Sequence, residues 1–354
     1  MLTLTLTPIA GFAVAFALAY LLTPLASRVA AHFGAVDWKS TTKIHARDMP
    51  RLGGIAIAAG FYVPVLVLAL RWNLFRAAVY EQPERVAALL GGALVILGLG
   101  IYDDLRGATA LKKLAVQIPV AVVAWWLGVR IGGTSGPSGI FLSFAPAVSL
   151  AATVLWLLVA INAVNLIDGL DGLASGIALQ ALAATALCAW YRGEPVLALF
   201  AIILAGTVAG FLIHNFHPAT IYMGDSGSMF LGYVLGVAAV WSSQKSATAV
   251  GMVLPALVLG VPLLDTSLAV WRRVLAGRPV MSGDLDHMHH RLLNFGWSYR
   301  RTVFVLYTVG FFFSALSVLL VFVNDRRLGL PVLAVAVAVA IGLAVWLGYH
   351  RPRR

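Results

Sequence analysis

Charge is what this sequence has least of. Only 11% of its 354 residues are Asp, Glu, Lys or Arg, and 61% are hydrophobic. A soluble domain is roughly 25% charged. A chain so poor in charge cannot cover a water-facing surface, so it reads as an all-α polytopic membrane protein with lipid as most of its solvent. Cysteine is almost absent as well. Cys188 stands alone in an apolar run, which excludes an intrachain disulfide and leaves the compartment undetermined. Acids are scarce, 14 against 25 Lys and Arg, for a net charge of +11. The basic residues fall between apolar runs and form no stripe on a polar domain. That pattern fits membrane orientation and excludes nucleic acid as a partner. The opening run, "MLTLTLTPIAGFAVAFALAYLLTPLASRVA", has no positive leading region, so it is expected to remain as a first spanning helix.

What the sequence has in quantity is long apolar runs. About 20 such residues cross a bilayer as a helix. That length predicts about eleven spans, at 8–30, 53–71, 86–102, 113–129, 147–164, 173–191, 195–214, 227–243, 249–271, 302–323 and 330–349. An odd number puts the termini on opposite sides. With the N-terminus outside, only Arg71, Arg76, Arg85, Arg130, Arg192, Lys245, Arg326 and Arg327 lie on outer segments. The remaining Lys and Arg are inside, so N-out and C-in is expected. Of the acids, only Glu81, Glu84, Glu194 and Asp325 fall outside. Asp and Glu do little to set orientation, so their gathering on the inner face calls for a polar site there. No internal repeat or separate soluble unit is visible. The chain reads as one membrane domain, 1–354, with inner loops at about 31–52, 103–112, 165–172, 215–226 and 272–301. The outer stretch "GGTSGPSG" (132–139) reads as a turn.

Four inner stretches carry chemistry. "GIYDDLRG" holds Asp103 and Asp104. Adjacent carboxylates near low-dielectric material need a proton or a cation, and with Asp225 they could hold Mg²⁺, which takes oxygen ligands. "INAVNLIDGLDGLA" carries Asn162, Asn165, Asp168 and Asp171, amide and carboxylate groups suited to a ribose, base or sugar. "HNFHPATIYMGDSGSMFLG" sets Asp225 between glycines where a span begins, and a helix N-terminus there would receive an anion. "SGDLDHMHHRLLNFG" carries His287, His289, His290 and Arg291, suited to phosphate or sugar. It lacks the pattern of a zinc site. Each stretch has a plainer reading too: a hydrated helix end, interhelical glue, a glycine turn, a solvated basic loop. A rival of another class is an ion-coupled transporter, which predicts midplane acids and inverted repeats. Asp265 is the one acid placed deeper in a span.

Taken in order, "KIHARDMPRLGGIAI", "GIYDDLRGATALKKLAVQ", "NAVNLIDGLDGLA", "IYMGDSGSMFLG" and "HMHHRLL" resemble the polyprenyl-phosphate N-acetylhexosamine-1-phosphate transferase family from about residue 37 to 300. The resemblance implies a Mg²⁺-dependent transfer, with Mn²⁺ as a substitute. A UDP-N-acetylhexosamine and undecaprenyl phosphate would react at the cytoplasmic face of a bacterial inner membrane, with loss of UMP. The bilayer is then a partner, and a homodimer is allowed. It implies Asp225 and Asp104 as metal ligands and Asp103 as the usual candidate to deprotonate the lipid phosphate. That phosphate has a second pKa near ~6, so positioning would matter more than proton removal. It further implies Lys113 near the phosphates, with Lys112 as a rival. Asn165, Asp168 and Asp171 match nucleotide-sugar positions, and Asn215 and Tyr222 match positions near the uracil. The His287, His289, His290 and Arg291 stretch matches a sugar-recognition loop. The peptidoglycan branch has T-P-T-M-G-G where this chain has "MPRLGG", and Phe-Glu after its histidines where this chain has "HMHHRL". The favoured donor is therefore UDP-N-acetylglucosamine rather than the muramyl-pentapeptide nucleotide.

Overall fold

A backbone in hydrocarbon must satisfy its own amides, and an apolar run does so as a helix. The computed structural model describes residues 2–37, 49–71, 73–135, 141–243, 253–275, 277, 287–323 and 329–349. In chain order the elements are α1 (Leu2–His32), β1 (Val36–Asp37), β2 (Met49–Pro50), α2 (Gly53–Arg71), α3 (Asn73–Tyr80), α4 (Pro83–Arg106) and α5 (Ala110–Trp126). Next come β3 (Gly133–Ser135), β4 (Phe141–Ser143), α6 (Pro146–Ile167), α7 (Leu173–Tyr191), α8 (Pro195–Asn215) and α9 (Gly224–Ser243). The chain closes with α10 (Val253–Val258), α11 (Gly260–Leu275), α12 (Met288–Asn294), α13 (Tyr299–Val323) and α14 (Gly329–Trp346). The strands form two small antiparallel pairs, Val36 opposite Pro50 and Thr134 opposite Leu142. Lys39, Lys43 and Arg47 of the first inner loop, residues 136–139 of the stretch expected to turn at 132–139, and "GDLD" before the histidines lie outside the described residues.

Among the described residues nine helices are long and apolar enough to cross a membrane, against about eleven expected from run length. Two runs account for the difference. The helix at 110–126 has 17 residues, and the described part of the run at 249–271, from Val253 on, is two helices rather than one. The break falls at Leu259. Gly260 lies so close to α13 that a Cβ there would sit 2.6 Å from Phe313 Cγ. Pro262, in the first turn of α11, has no N–H to carry a helical ladder back across the break.

The most enclosed helix is α9, 94% buried over its most apolar window, while α14 is 17% buried over its own. α9 packs against α4, α6, α2 and α7. Its Gly, Ser and Ala residues let neighbouring backbones come close, as small residues do between membrane helices. A Cβ on Gly100 of α4 would lie 2.3 Å from Ser226 Cα, so α4 rests directly on the first turn of α9. The ends of α4, α6 and α8 and the starts of α5, α7 and α9 thus gather at one end of the bundle.

Candidate functional site

The site is built around the start of α9. Gly224 adopts a φ of +71°, and a Cβ there would lie 1.9 Å from Arg51 O. Glycine alone makes this turn without a clash. The first N–H groups of a helix have no acceptor within it. Asp104, at the end of α4, supplies one from outside. Its Oδ1 accepts from Asp225 N at 2.9 Å and its Oδ2 from Ser226 N at 3.0 Å. The Arg51 guanidinium stands 3.8 Å away.

Successive residues on a helix point about 100° apart, so Asp103 faces elsewhere. Its carboxylate and that of Asp225 share the Lys113 ammonium. Asp103 Oδ1 also accepts from Ala108 N. Asn165 completes the group, donating to Asp225 Oδ1 at 3.0 Å and Ser228 Oγ at 2.9 Å. The resemblance pairs Asp225 with Asp104 as metal ligands. The geometry pairs it with Asp103 instead, because both Asp104 oxygens hold the amides of α9. Among the described residues no cluster of three His, Cys, Asp or Glu could hold a metal. Mg²⁺ often takes one or two carboxylates with waters and substrate phosphates, and two carboxylates already drawn around a cation fit that chemistry.

One turn beneath lies a polar floor. Asn162 donates to Gln117 Oε1 at 2.9 Å and to Leu158 O at 2.8 Å, and Gln117 donates to Met229 Sδ. Gln117 is fully buried. It sits four residues after Lys113, and Asn162 three before Asn165, so the pair fixes α5 against α6. Asn162→Leu leaves Gln117 Oε1 without its donor and is expected to cost about 1–2 kcal/mol. The double variant with Gln117→Leu should recover most of that loss, as measured by thermal unfolding in detergent.

A second wall runs along the 168–172 turn. Asp168 follows α6. Desolvation, then the charges of Asp225 and Asp104, raise its carboxyl to about 8. Asp171 is buried and accepts from His217 Nδ1 at 3.0 Å and Ala219 N at 3.1 Å, while its own N–H donates to the Tyr299 hydroxyl. The His217 ring stacks on Tyr299 at 4.3 Å. Asn215 is engaged within the protein. It accepts from Gly172 N at 3.2 Å and Ser175 Oγ at 2.6 Å and donates to Ile221 O at 3.0 Å. It ties two loops together. Tyr222 is held by backbone bonds to Pro50 O at 2.8 Å and from Gly53 N at 3.1 Å.

His289 and His290 lie on α12, and His287 is the residue that precedes it. Asp265, buried in α11, faces His287 Nδ1 at 2.7 Å and accepts from Met288 N at 2.7 Å. The His289 ring abuts Gly169 of the turn, where a Cβ would come within 2.5 Å of Nε2. Burial, helped by neighbouring His290, lowers this imidazole to about 3, so it is neutral. Its buried Nε2 has no hydrogen-bond partner among the described residues. His290 lies tilted over it at 4.2 Å. Arg291 donates to Leu347 O at 2.9 Å and lies 3.8 Å over the Tyr349 ring.

The structure therefore brings Asp103, Asp104, Lys113, Asn165 and Asp225 into one cluster. Asp168, Asp171, Asn215, Tyr222 and the histidines line the turn and loops beside it. Sequence reasoning missed Gln117, His217, Ser228 and Tyr299. It noted Asp265 without giving it a role, although an acid inside an apolar run is functional by default.

A sequence model described as glycosyl transferase family 4 matches residues 86–243, from within α4 to the end of α9. The chain is 38% identical to a probable undecaprenyl-phosphate N-acetylglucosaminyl 1-phosphate transferase of Bacillus subtilis, over 88% of this chain and 84% of that one. It is 37% identical to a decaprenyl-phosphate N-acetylglucosaminephosphotransferase of Mycolicibacterium smegmatis, over 88% and 82%. A phospho-N-acetylmuramoyl-pentapeptide-transferase of Halalkalibacterium halodurans is 32% identical, over 90% and 97%.

Proposed function

The chain belongs to glycosyl transferase family 4, and we propose that it transfers N-acetylglucosamine 1-phosphate from UDP-N-acetylglucosamine to undecaprenyl phosphate, releasing UMP. The reaction takes place at the cytoplasmic face of a bacterial inner membrane and begins an envelope polysaccharide. The observation that carries this reading is the Lys113 ammonium held between Asp103 and Asp225 at the ends of the spans. A lipid phosphate reaches that level of the bilayer, and a nucleotide sugar reaches it from water. The relatives support the donor. Those named for N-acetylglucosamine match at 38% and 37%, the muramoyl relative at 32%.

An acceptor phosphate oxygen forms a bond to the β-phosphorus of the donor. The bond from that phosphorus to the bridging oxygen breaks, and UMP leaves with the electron pair. The acceptor's second pKa is near ~6, so most of it is already a dianion at neutral pH. Catalysis then rests on positioning and charge stabilisation. Lys113 turns from its carboxylates toward the phosphates. Asp103 orients the acceptor and takes any remaining proton. Asp225 and Asp103 would hold Mg²⁺, or Mn²⁺ in its place, whose charge offsets the repulsion between the two phosphates. Asp168 and the His289–His290 pair meet the sugar side of the donor across Gly169, and Tyr222 stacks on the uracil.

The test is purified protein in detergent with undecaprenyl phosphate, Mg²⁺ and either UDP-N-acetylglucosamine, UDP-N-acetylgalactosamine or the muramyl-pentapeptide nucleotide. UMP release with the first donor is expected. Release with none of the three would refute the function.

A further inference from the structure

We propose that the C-terminal turn, Trp346–Tyr349, is a positioning element of the donor-sugar site, and that Arg291 serves as its bolt rather than as a phosphate ligand. This rests on the function proposed above. Helix α12 has seven residues, and isolated helices under about 12 residues are marginal. Its position is therefore set by what holds it. Asp265 fixes the N-terminal end through His287 and Met288. The C-terminal end is held by residues far along the chain. Arg291 is 4% exposed, donates to Leu347 O at 2.9 Å and lies 3.8 Å over the Tyr349 ring. Arg272 of α11 stands over the same ring at 4.8 Å. The Trp346 ring packs against Trp297 at 5.5 Å and Phe295 at 6.2 Å, just beyond α12.

The contrast with the rest of α14 makes this docking specific. Only 17% of that helix's apolar window is buried, yet Leu347 just after it is 2% exposed. α14 buries Gly329, Val332 and Ala336 near its start and no further residue until Leu347, so the turn is a second, separate docking point. Between the two anchors lies His289, whose ring meets Gly169. Loss of the C-terminal anchor lets α12 shift and draws His289 and His290 away from the 168–172 turn. The nucleotide and acceptor contacts stay in place.

Tyr349→Ala is expected to raise the KM for UDP-N-acetylglucosamine about tenfold, the scale of a desolvated cation–π contact, with the KM for undecaprenyl phosphate and the melting temperature unchanged. Tyr349→Phe keeps the ring and should keep the wild-type donor KM. Tyr349→Leu fills the space without a π face and should behave like Ala, which covers the case of an Ala variant that does not fold. Arg291→Ala, which also loses the bond to Leu347 O, should raise the donor KM at least as far as Tyr349→Ala, and the double variant should fall well short of the product of the two, since both remove the contact they share. An unchanged donor KM in Tyr349→Leu, a Phe variant as impaired as Ala, or multiplying effects in the double variant would each overturn the proposal. Hydrogen exchange separates this from the proposed function. Whatever the protein transfers, α12 loses protection in Tyr349→Leu if the turn holds it, and equal protection would overturn the inference.

Discussion

Asp225→Ala is expected to lower UMP release at saturating substrates by at least about a thousandfold, the scale on which charge-stabilising groups act in phosphoryl transfer, while the protein stays folded. Asp225 joins three elements. Its carboxylate receives Asn165 from α6 and Lys113 from α5, and it opens α9. A negative charge in the first turn of a helix is favoured by the dipole, so the carboxylate is stable there and available to a cation. The scaffold does not depend on that side chain. The α9 amides are capped by Asp104, and the glycine contacts of α9 with α4 involve Gly100 and the Ser226 backbone. Asp225→Asn keeps the shape and loses the charge, so it should be nearly as inactive as Ala. Turnover in Asp225→Asn above a tenth of the wild-type rate would remove Asp225 from the cation site. A melting temperature near wild type in both variants separates lost chemistry from lost fold.

Much of the bundle was legible in the sequence because hydrocarbon leaves so few options. An uninterrupted apolar run of sufficient length must be a helix, and the runs carrying α1, α2, α4, α6 to α9, α13 and α14 are such runs. The failure at 249–271 has a definite cause. Mean apolarity over a window does not register Gly260 and Pro262, and the closeness of Phe313 that selects the glycine comes from another helix. The cluster of polar stretches on one face was legible for the same reason, since acids survive at the edge of an apolar core only with partners. Which of two adjacent acids faces the cation was not. Asp103 and Asp104 differ only in rotation about α4, and the answer depends on where α9 begins. Asn162 was readable as interhelical glue one turn beneath the site, and its bond to Gln117 is that. Arg291 reads in the sequence as a phosphate or sugar ligand, and its contact with Tyr349 is not legible there. Tyr349 is near the end of the chain, and no spacing connects the two.

Lys113→Met should be as inactive as Asp225→Ala and yet bind Mg²⁺ more tightly than the wild type. The two effects have opposite signs because the ammonium does two things. In the structure it sits between Asp103 and Asp225 and offsets the repulsion of their carboxylates. A divalent ion entering that pair has to displace it. Removing the ammonium leaves two carboxylates facing each other in a partly buried place, a state relieved either by a proton or by a metal. Mg²⁺ affinity therefore rises, by about tenfold if one competing charge contact of roughly 1.4 kcal/mol is removed, and isothermal titration of Mg²⁺ without substrates would read it. Turnover falls because the displaced ammonium is also the nearest cation for the phosphates once the metal is seated. Its loss leaves the transition-state charge short of one partner, and about a thousandfold decrease in kcat is expected. More Mg²⁺ should not restore the rate, since the metal site is already filled. A variant that regains activity at high Mg²⁺ would show that Lys113 only holds the carboxylates apart until the metal arrives. A variant with weaker Mg²⁺ binding would show that the Asp103–Asp225 pair is not where the cation goes.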